Sequence, residues 1–220
     1  VEAVNRHSTP GDTIFVWDYD PKLLWESDRV PAIRYFGAAF ADQLAPLYGQ
    51  NFDPPIYTDG MALIAHLELG NLAHVEALAA QYVDGSRDSL ASSFGVSTLV
   101  LAGHLVFAEL AERTGDPRFL ERARAAADLS FAEDGTMLEA VPGHGEMSDA
   151  IFMGAGILAA VGELTGEQRY FDMAVRQIDF MNDLVRRDDG LYRHSPLTDA
   201  AWGRGNGFAA IGYALTLSKL

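Results

Sequence analysis

From Val96 onward the chain alternates two kinds of helical segment. Ala150–Val161, AIFMGAGILAAV, has no charge and is apolar on every side, which predicts a helix buried all round. The segment after it keeps one apolar stripe, at Tyr170, Phe171, Ala174, Ile178, Met181 and Val185. Arg176, Gln177 and Asp183 lie off that stripe. The preceding unit repeats the contrast. Val96–Leu110 is nearly charge-free, and Arg118–Ser130 has its stripe at Phe119, Ala123, Ala126 and Ser130. Thr114-Gly115 and Thr165-Gly166 mark corresponding turns, 51 residues apart, and Gly70 takes that place in a weaker copy, HLELGNLAHVEALAAQYVDG. Helices are expected over 33–47, 58–69, 71–83, 94–113, 117–130, 149–164, 167–187 and 206–219.

Fully buried helices alternating with one-faced helices suggest an inner and an outer ring. The expected fold is therefore all-α, an (α/α)6 barrel of helical hairpins, forming a single domain over residues 1–220. A solenoid also stacks hairpins, but it normally keeps both helices of each pair amphipathic. The last segment, GFAAIGYALTLSKL, reads as an inner helix without an outer partner. The barrel is thus expected to lack its last hairpins.

Composition narrows the partners. Acidic residues number 31 against 16 basic ones, a formal net charge of −15. Such a surface repels nucleic acid and anionic membranes, so neither is an expected partner. An anionic small molecule would need a local positive pocket. There is no cysteine, which excludes disulfides and thiolate metal sites. The histidines show no HExxH or HxxxH spacing, so neither a metal nor a cofactor is implied. GxGxxG, GxxxxGK[ST] and GxSxG patterns are also missing. The start, VEAVNRHSTPGDTIFVWDY, has no basic stretch leading into an apolar one, which places the expected location in the cytoplasm.

In a two-ring barrel the inner helices run the same way, so their N-terminal ends and the long loops share one face. The aligned helix dipoles there favour anions. Trp202, Arg204, Asn206 and Phe208 stand at the start of the last inner helix, in AAWGRGNGF. Gly203, Gly205 and Gly207 would let the backbone approach a ligand. Asp149 holds the equivalent place one repeat earlier, after His144 and Glu146 in PGHGEMSDAIFMG, and His194 lies between, in GLYRHSP. Each has a plainer reading. Asp149 or Ser148 would serve as a helix cap, Arg204 as a surface arginine, the glycines as turn punctuation, and His194 as a solvated loop residue. His104, in the middle of an apolar run, reads as a core histidine.

SDAIFMGAGILAAVGELTGEQRYFDMAVRQ, then GLYRHS, then WGRGNGF resembles the unsaturated glucuronyl and rhamnogalacturonyl hydrolases, glycoside hydrolase families 88 and 105. The likeness runs over roughly residues 93–220. It implies an (α/α)6 barrel that hydrates the double bond of sugars ending in a 4,5-unsaturated uronate, an anionic oligosaccharide. It also implies that Asp149 is the catalytic acid, with His194, Arg204 and Trp202 on the substrate. Beside these, Asn206, Phe208, His144, Tyr192 and Asp88 are expected to bind substrate, Tyr192 and Phe208 by stacking on sugar faces. Met147 and Phe208 stand where the families usually carry tryptophan. A second acid is expected one repeat before Asp149, where the count lands on Thr98. Asp88 is the nearest upstream carboxylate, with Asp59 and Asp53 as earlier options.

Two other classes of function stay open at this point. One is a different (α/α)6 carbohydrate-active enzyme, a glycosidase or an epimerase. The other is a non-catalytic carbohydrate-binding or scaffold barrel, which the threonine at 98 favours. Homo-oligomerisation is likewise open.

Overall fold

The computed structural model describes residues 13–14, 30–31, 43–91 and 95–220. The chain divides into two compact units, Val1–Tyr48 and Gly49–Leu220. In the first, β1 (Thr13–Ile14) pairs in parallel with β2 (Val30–Pro31), a short bridge that the helical pattern does not anticipate. The helix expected over 33–47 lies, apart from its last residues, outside the described residues.

The elements described in the second unit are helices, joined by loops that carry three isolated β-bridges. It contains α1 (Tyr57–Glu68), α2 (Leu72–Val83), α3 (Thr98–Gly103), α4 (Leu105–Thr114) and α5 (Pro117–Asp128). It continues with α6 (Ala150–Thr165), α7 (Gln168–Val185) and α8 (Gly203–Leu217). α6 is the hub: every residue from Ala150 to Gly162 is buried. It packs against α7, α8, α3, α4 and α5, as its uncharged sequence requires. The outer helices α5 and α7 bury their stripes, including Phe119 and Ala123 on α5 and Tyr170, Ala174 and Met181 on α7. Gln177, expected off the stripe, is also fully buried, because its amide accepts from Val141 N–H and donates to Ala150 O.

The repeat is realised at the level of single atoms. Thr114 Oγ1 donates to Leu110 O and accepts from Asp116 N–H; Thr165 Oγ1 does the same with Val161 O and Glu167 N–H. Gly115 and Gly166 end the two inner helices at φ 69° and 70°, the left-handed conformation that glycine adopts without steric cost. Asp116 then caps α5 by accepting from Arg118 N–H.

One expected helix, 94–113, departs from the pattern: it begins at Thr98 and is interrupted at His104. The imidazole turns back onto the preceding turn at this point. His104 Nδ1 lies 2.8 Å from Val100 O, so it donates to that carbonyl, which also accepts the His104 backbone N–H. Nε2 is left to accept from the Ser89 hydroxyl at 2.9 Å. His104 is thus the satisfied core histidine that the sequence suggests, and burial pushes its pKa down to about 4.

The inner helices start at a common face. Tyr57 at the start of α1 meets Phe208 of α8 edge-on at 5.8 Å, and Phe208 stacks on Phe152 of α6 at 5.5 Å. Thr98 at the start of α3 donates to Gly143 O, in the loop that leads to Asp149.

Candidate active site

Asp149 stands immediately before α6 and is 7 % exposed. It does not use its carboxylate as a cap; no backbone N–H of the first turn is bonded to it. Oδ2 instead pairs with Nη1 of Arg204 from the first turn of α8. The arginine side chain is half exposed, so the pair has a buried acidic end and an accessible basic end. Rings flank the guanidinium, with Trp202 at 6.0 Å and Phe208 at 5.8 Å.

His194 joins this group through its ring and its backbone. The imidazole lies flat on Trp202, 5.0 Å between centroids with 8° between planes. Its carbonyl accepts from Ser148 N–H at 3.0 Å, tying the GLYRH loop to the residue before Asp149. Its Nδ1 is buried without a protein partner. Trp202 remains half exposed and offers a ring face to solvent.

Asn206 is a clamp. Its Oδ1 accepts from Tyr192 N–H at 2.9 Å, and its Nδ2 donates to Tyr192 O and Trp202 O, both at 3.0 Å. The amide is spent on holding the GLYRH loop against the first turn of α8.

The remaining candidates are not brought to Asp149. Tyr192 is buried, its hydroxyl bonded to Asn182 Oδ1 and Tyr213 and its pKa pushed up by burial, so it has no ring face to give a sugar. His144 packs on Phe180 of the outer helix α7, 5.1 Å between rings, and its Nδ1 accepts from Glu146 N–H. Asp88 is exposed beyond α2, where its carboxylate caps a turn at Leu90 N–H.

None of the options for a second acid sits beside Asp149 among the described residues. Thr98 is buried with its hydroxyl on Gly143 O. Asp53 pairs with Arg87. Asp59, in the first turn of α1, has its pKa raised by desolvation, but its electrostatic neighbour is Tyr82 of α2. Asp149 is therefore the carboxylate of this cluster. No group of three or more His, Asp or Glu side chains among the described residues is placed to hold a metal ion. No described helix is long and apolar enough to cross a membrane.

Tyr57 is a site neighbour that sequence reasoning missed. Its position at the start of an inner helix is the signal that would have found it.

The family model for Glycosyl Hydrolase Family 88 matches residues 57–220, more than half of the chain. A solved polysaccharide lyase shares the fold with a TM-score of 0.58 at 15 % identity. The superposition covers 78 % of this chain and 54 % of that one, so the chain spans about half the length of that protein. None of the curated protein sequences matches the chain.

Proposed function

The chain belongs to glycosyl hydrolase family 88, and from that premise we propose that it removes the terminal 4,5-unsaturated uronate residue of oligosaccharides by hydrating its C4–C5 double bond. The observation that carries the reading is the Asp149–Arg204 pair, with a buried carboxyl group and a half-exposed guanidinium between Trp202 and Phe208. This arrangement suits a ligand that presents an anion and a sugar face together.

The substrate is an enol ether bearing a carboxylate. Asp149 in its acid form gives its proton to C4. Positive charge develops at C5 and is shared with the ring oxygen. Water adds at C5, and the Asp149 carboxylate takes the proton that the water gives up. The C5 hemiketal then opens, C1 becomes a hemiacetal, and the aglycone leaves. One carboxyl group serves both proton transfers, so the paired carboxylates of ordinary glycosidases are not required.

Arg204 spends one nitrogen on Asp149 and keeps other N–H groups for the substrate carboxylate. His194 supports the same end of the substrate from its place on Trp202, and the half-exposed Trp202 supplies the stacking face, while Phe208, stacked on Phe152, backs the guanidinium. Asn206 holds the loop that carries His194.

The reaction destroys a conjugated chromophore, so incubation of the full-length protein with an unsaturated uronyl disaccharide should bleach its ultraviolet absorbance. Cleavage of a saturated glycoside without bleaching would point to another carbohydrate-active enzyme. The buried Thr98, standing where a second acid is expected, favours a non-catalytic carbohydrate-binding barrel as the second reading. Tight binding of the disaccharide with no turnover would establish that reading.

A further inference from the structure

Of the three glycines in GRGNG, one is in close contact with the site. A Cβ at Gly203 or Gly207 would meet nothing within 4 Å. A Cβ at Gly205 would stand 2.6 Å from Ser148 Oγ, while its next neighbours, Asp149 Oδ1 at 3.7 Å and Ser148 Cβ at 3.9 Å, are in ordinary contact. Gly205 lies in the first turn of α8 and has no positive φ, so backbone freedom does not account for glycine there. The approach to one hydroxyl does.

Ser148 is fully buried. Its N–H is bonded to His194 O, and its Oγ lies between Gly205 and Asp149, 3.5 Å from Oδ1. Arg204, the residue before Gly205, holds the other carboxylate oxygen. The turn that delivers the guanidinium therefore rests on the hydroxyl that borders the carboxylate.

We propose that Ser148 and Gly205 are a positioning pair whose contact sets the separation of Arg204 and Asp149. Gly205→Ala forces a choice. The pair predicts that the start of α8 moves outward and carries Arg204 with it; a Ser148 hydroxyl that simply rotates away would leave Arg204 in place and count against the pair. Ser148→Ala removes the obstacle, so the double variant accommodates the added methyl group with the turn in place. Alanine is also the better helix former, which leaves crowding as the cause of any loss.

The test is a double-variant cycle with two readouts. The first is the guanidinium resonance of Arg204 in the ligand-free protein, assigned by its disappearance in Arg204→Lys. It should shift in Gly205→Ala, stay in place in Gly203→Ala and Gly207→Ala, and return in Gly205→Ala/Ser148→Ala. The second is turnover of an unsaturated uronyl disaccharide. It should fall at least ~10-fold in Gly205→Ala, the scale of misplacing a reacting group by a fraction of an ångström to an ångström. The double variant should recover to the level of Ser148→Ala alone. A resonance unmoved by Gly205→Ala overturns the proposal, as does a double variant that still behaves like Gly205→Ala. If Gly205→Ala does not fold, a folded double variant with the parent resonance supports the pair, and an unfolded one overturns it. The activity arm rests on the proposed reaction, whereas the resonance does not. Resonances that follow the cycle in a protein that bleaches no disaccharide would sink the reaction and leave the pair standing.

Discussion

Asn206 holds Tyr192 by both backbone groups: its side-chain oxygen accepts the N–H and its side-chain nitrogen reaches the carbonyl. The two residues are 14 apart and belong to different segments, the GLYRH loop and the first turn of α8. A side-chain amide is the group that can mimic a strand edge in this way, because it presents a donor and an acceptor side by side. Asn206→Asp keeps the acceptor but places a carboxylate oxygen against the carbonyls of Tyr192 and Trp202. It should therefore destabilise at least as much as Asn206→Ala, with each variant costing about 1–3 kcal/mol in urea unfolding. Hydrogen exchange should also quicken at the Tyr192 amide. An unchanged midpoint in both variants would mean that the loop is held by other contacts.

Arg204 presents a planar fork to a carboxylate, and lysine presents a point charge. Arg204→Lys should weaken the binding of a uronate more than that of its neutral analogue, measured by calorimetry. Equal losses for the two ligands would make the arginine a partner of Asp149 and nothing more.

Asp149→Asn keeps the shape of the side chain and removes the proton donor. Asp149 makes no capping bond to α6, so no cap is lost with the charge. Turnover of an unsaturated disaccharide should fall at least ~10²-fold, the scale of a lost general acid–base group, with the helical content unchanged. A variant that bleaches the substrate at the parental rate would remove Asp149 from the mechanism.

His104 gives the fold a dependence on pH. Burial holds it neutral, with its pKa near 4 against about 6.5 in the unfolded chain, so between these values the unfolded state binds more protons. Its contribution is fully present above pH 6.5 and is lost as pH falls towards 4. At about 1.4 kcal/mol per pKa unit the loss is on the order of 3 kcal/mol. The groups facing it are the Ser89 hydroxyl, Val100 O, Phe107, Arg122 and Asp88. Urea midpoints measured from pH 7 to 4 should drop more steeply in the parent than in His104→Gln, which has no such titration. Parallel slopes would show that the carboxylates alone govern acid stability.

Much of the fold was legible because its rules are local. The uncharged run Ala150–Val161 and the stripe on Gln168–Val185 report burial directly, since a helix repeats its faces every 3.6 residues. The Thr-Gly turns are local too: each threonine bonds its own preceding turn, and each glycine takes the left-handed conformation within a few residues of it. Periodicity could not show that His104 would turn its ring onto Val100 O, because that depends on Ser89 waiting on the other side.

For the site, the sequence determined which residue types gather at the mouths of the inner helices: an acid at 149, a histidine at 194, and an arginine between aromatics at 202–208. Only the tertiary structure decided their partners. Asp149 and Ser148 read equally well as caps, yet the first pairs with an arginine 55 residues away and the second lies under Gly205. Tyr192 and His144 sat in the same loops as the functional candidates and turned to Asn182 and Phe180 instead. The physical reason is one of range. Helix propensity and hydrophobic period act over a few residues and fix which face is buried. A rotamer at a helix mouth is chosen among competing partners from distant segments, and those partners come within reach only after the helices have packed.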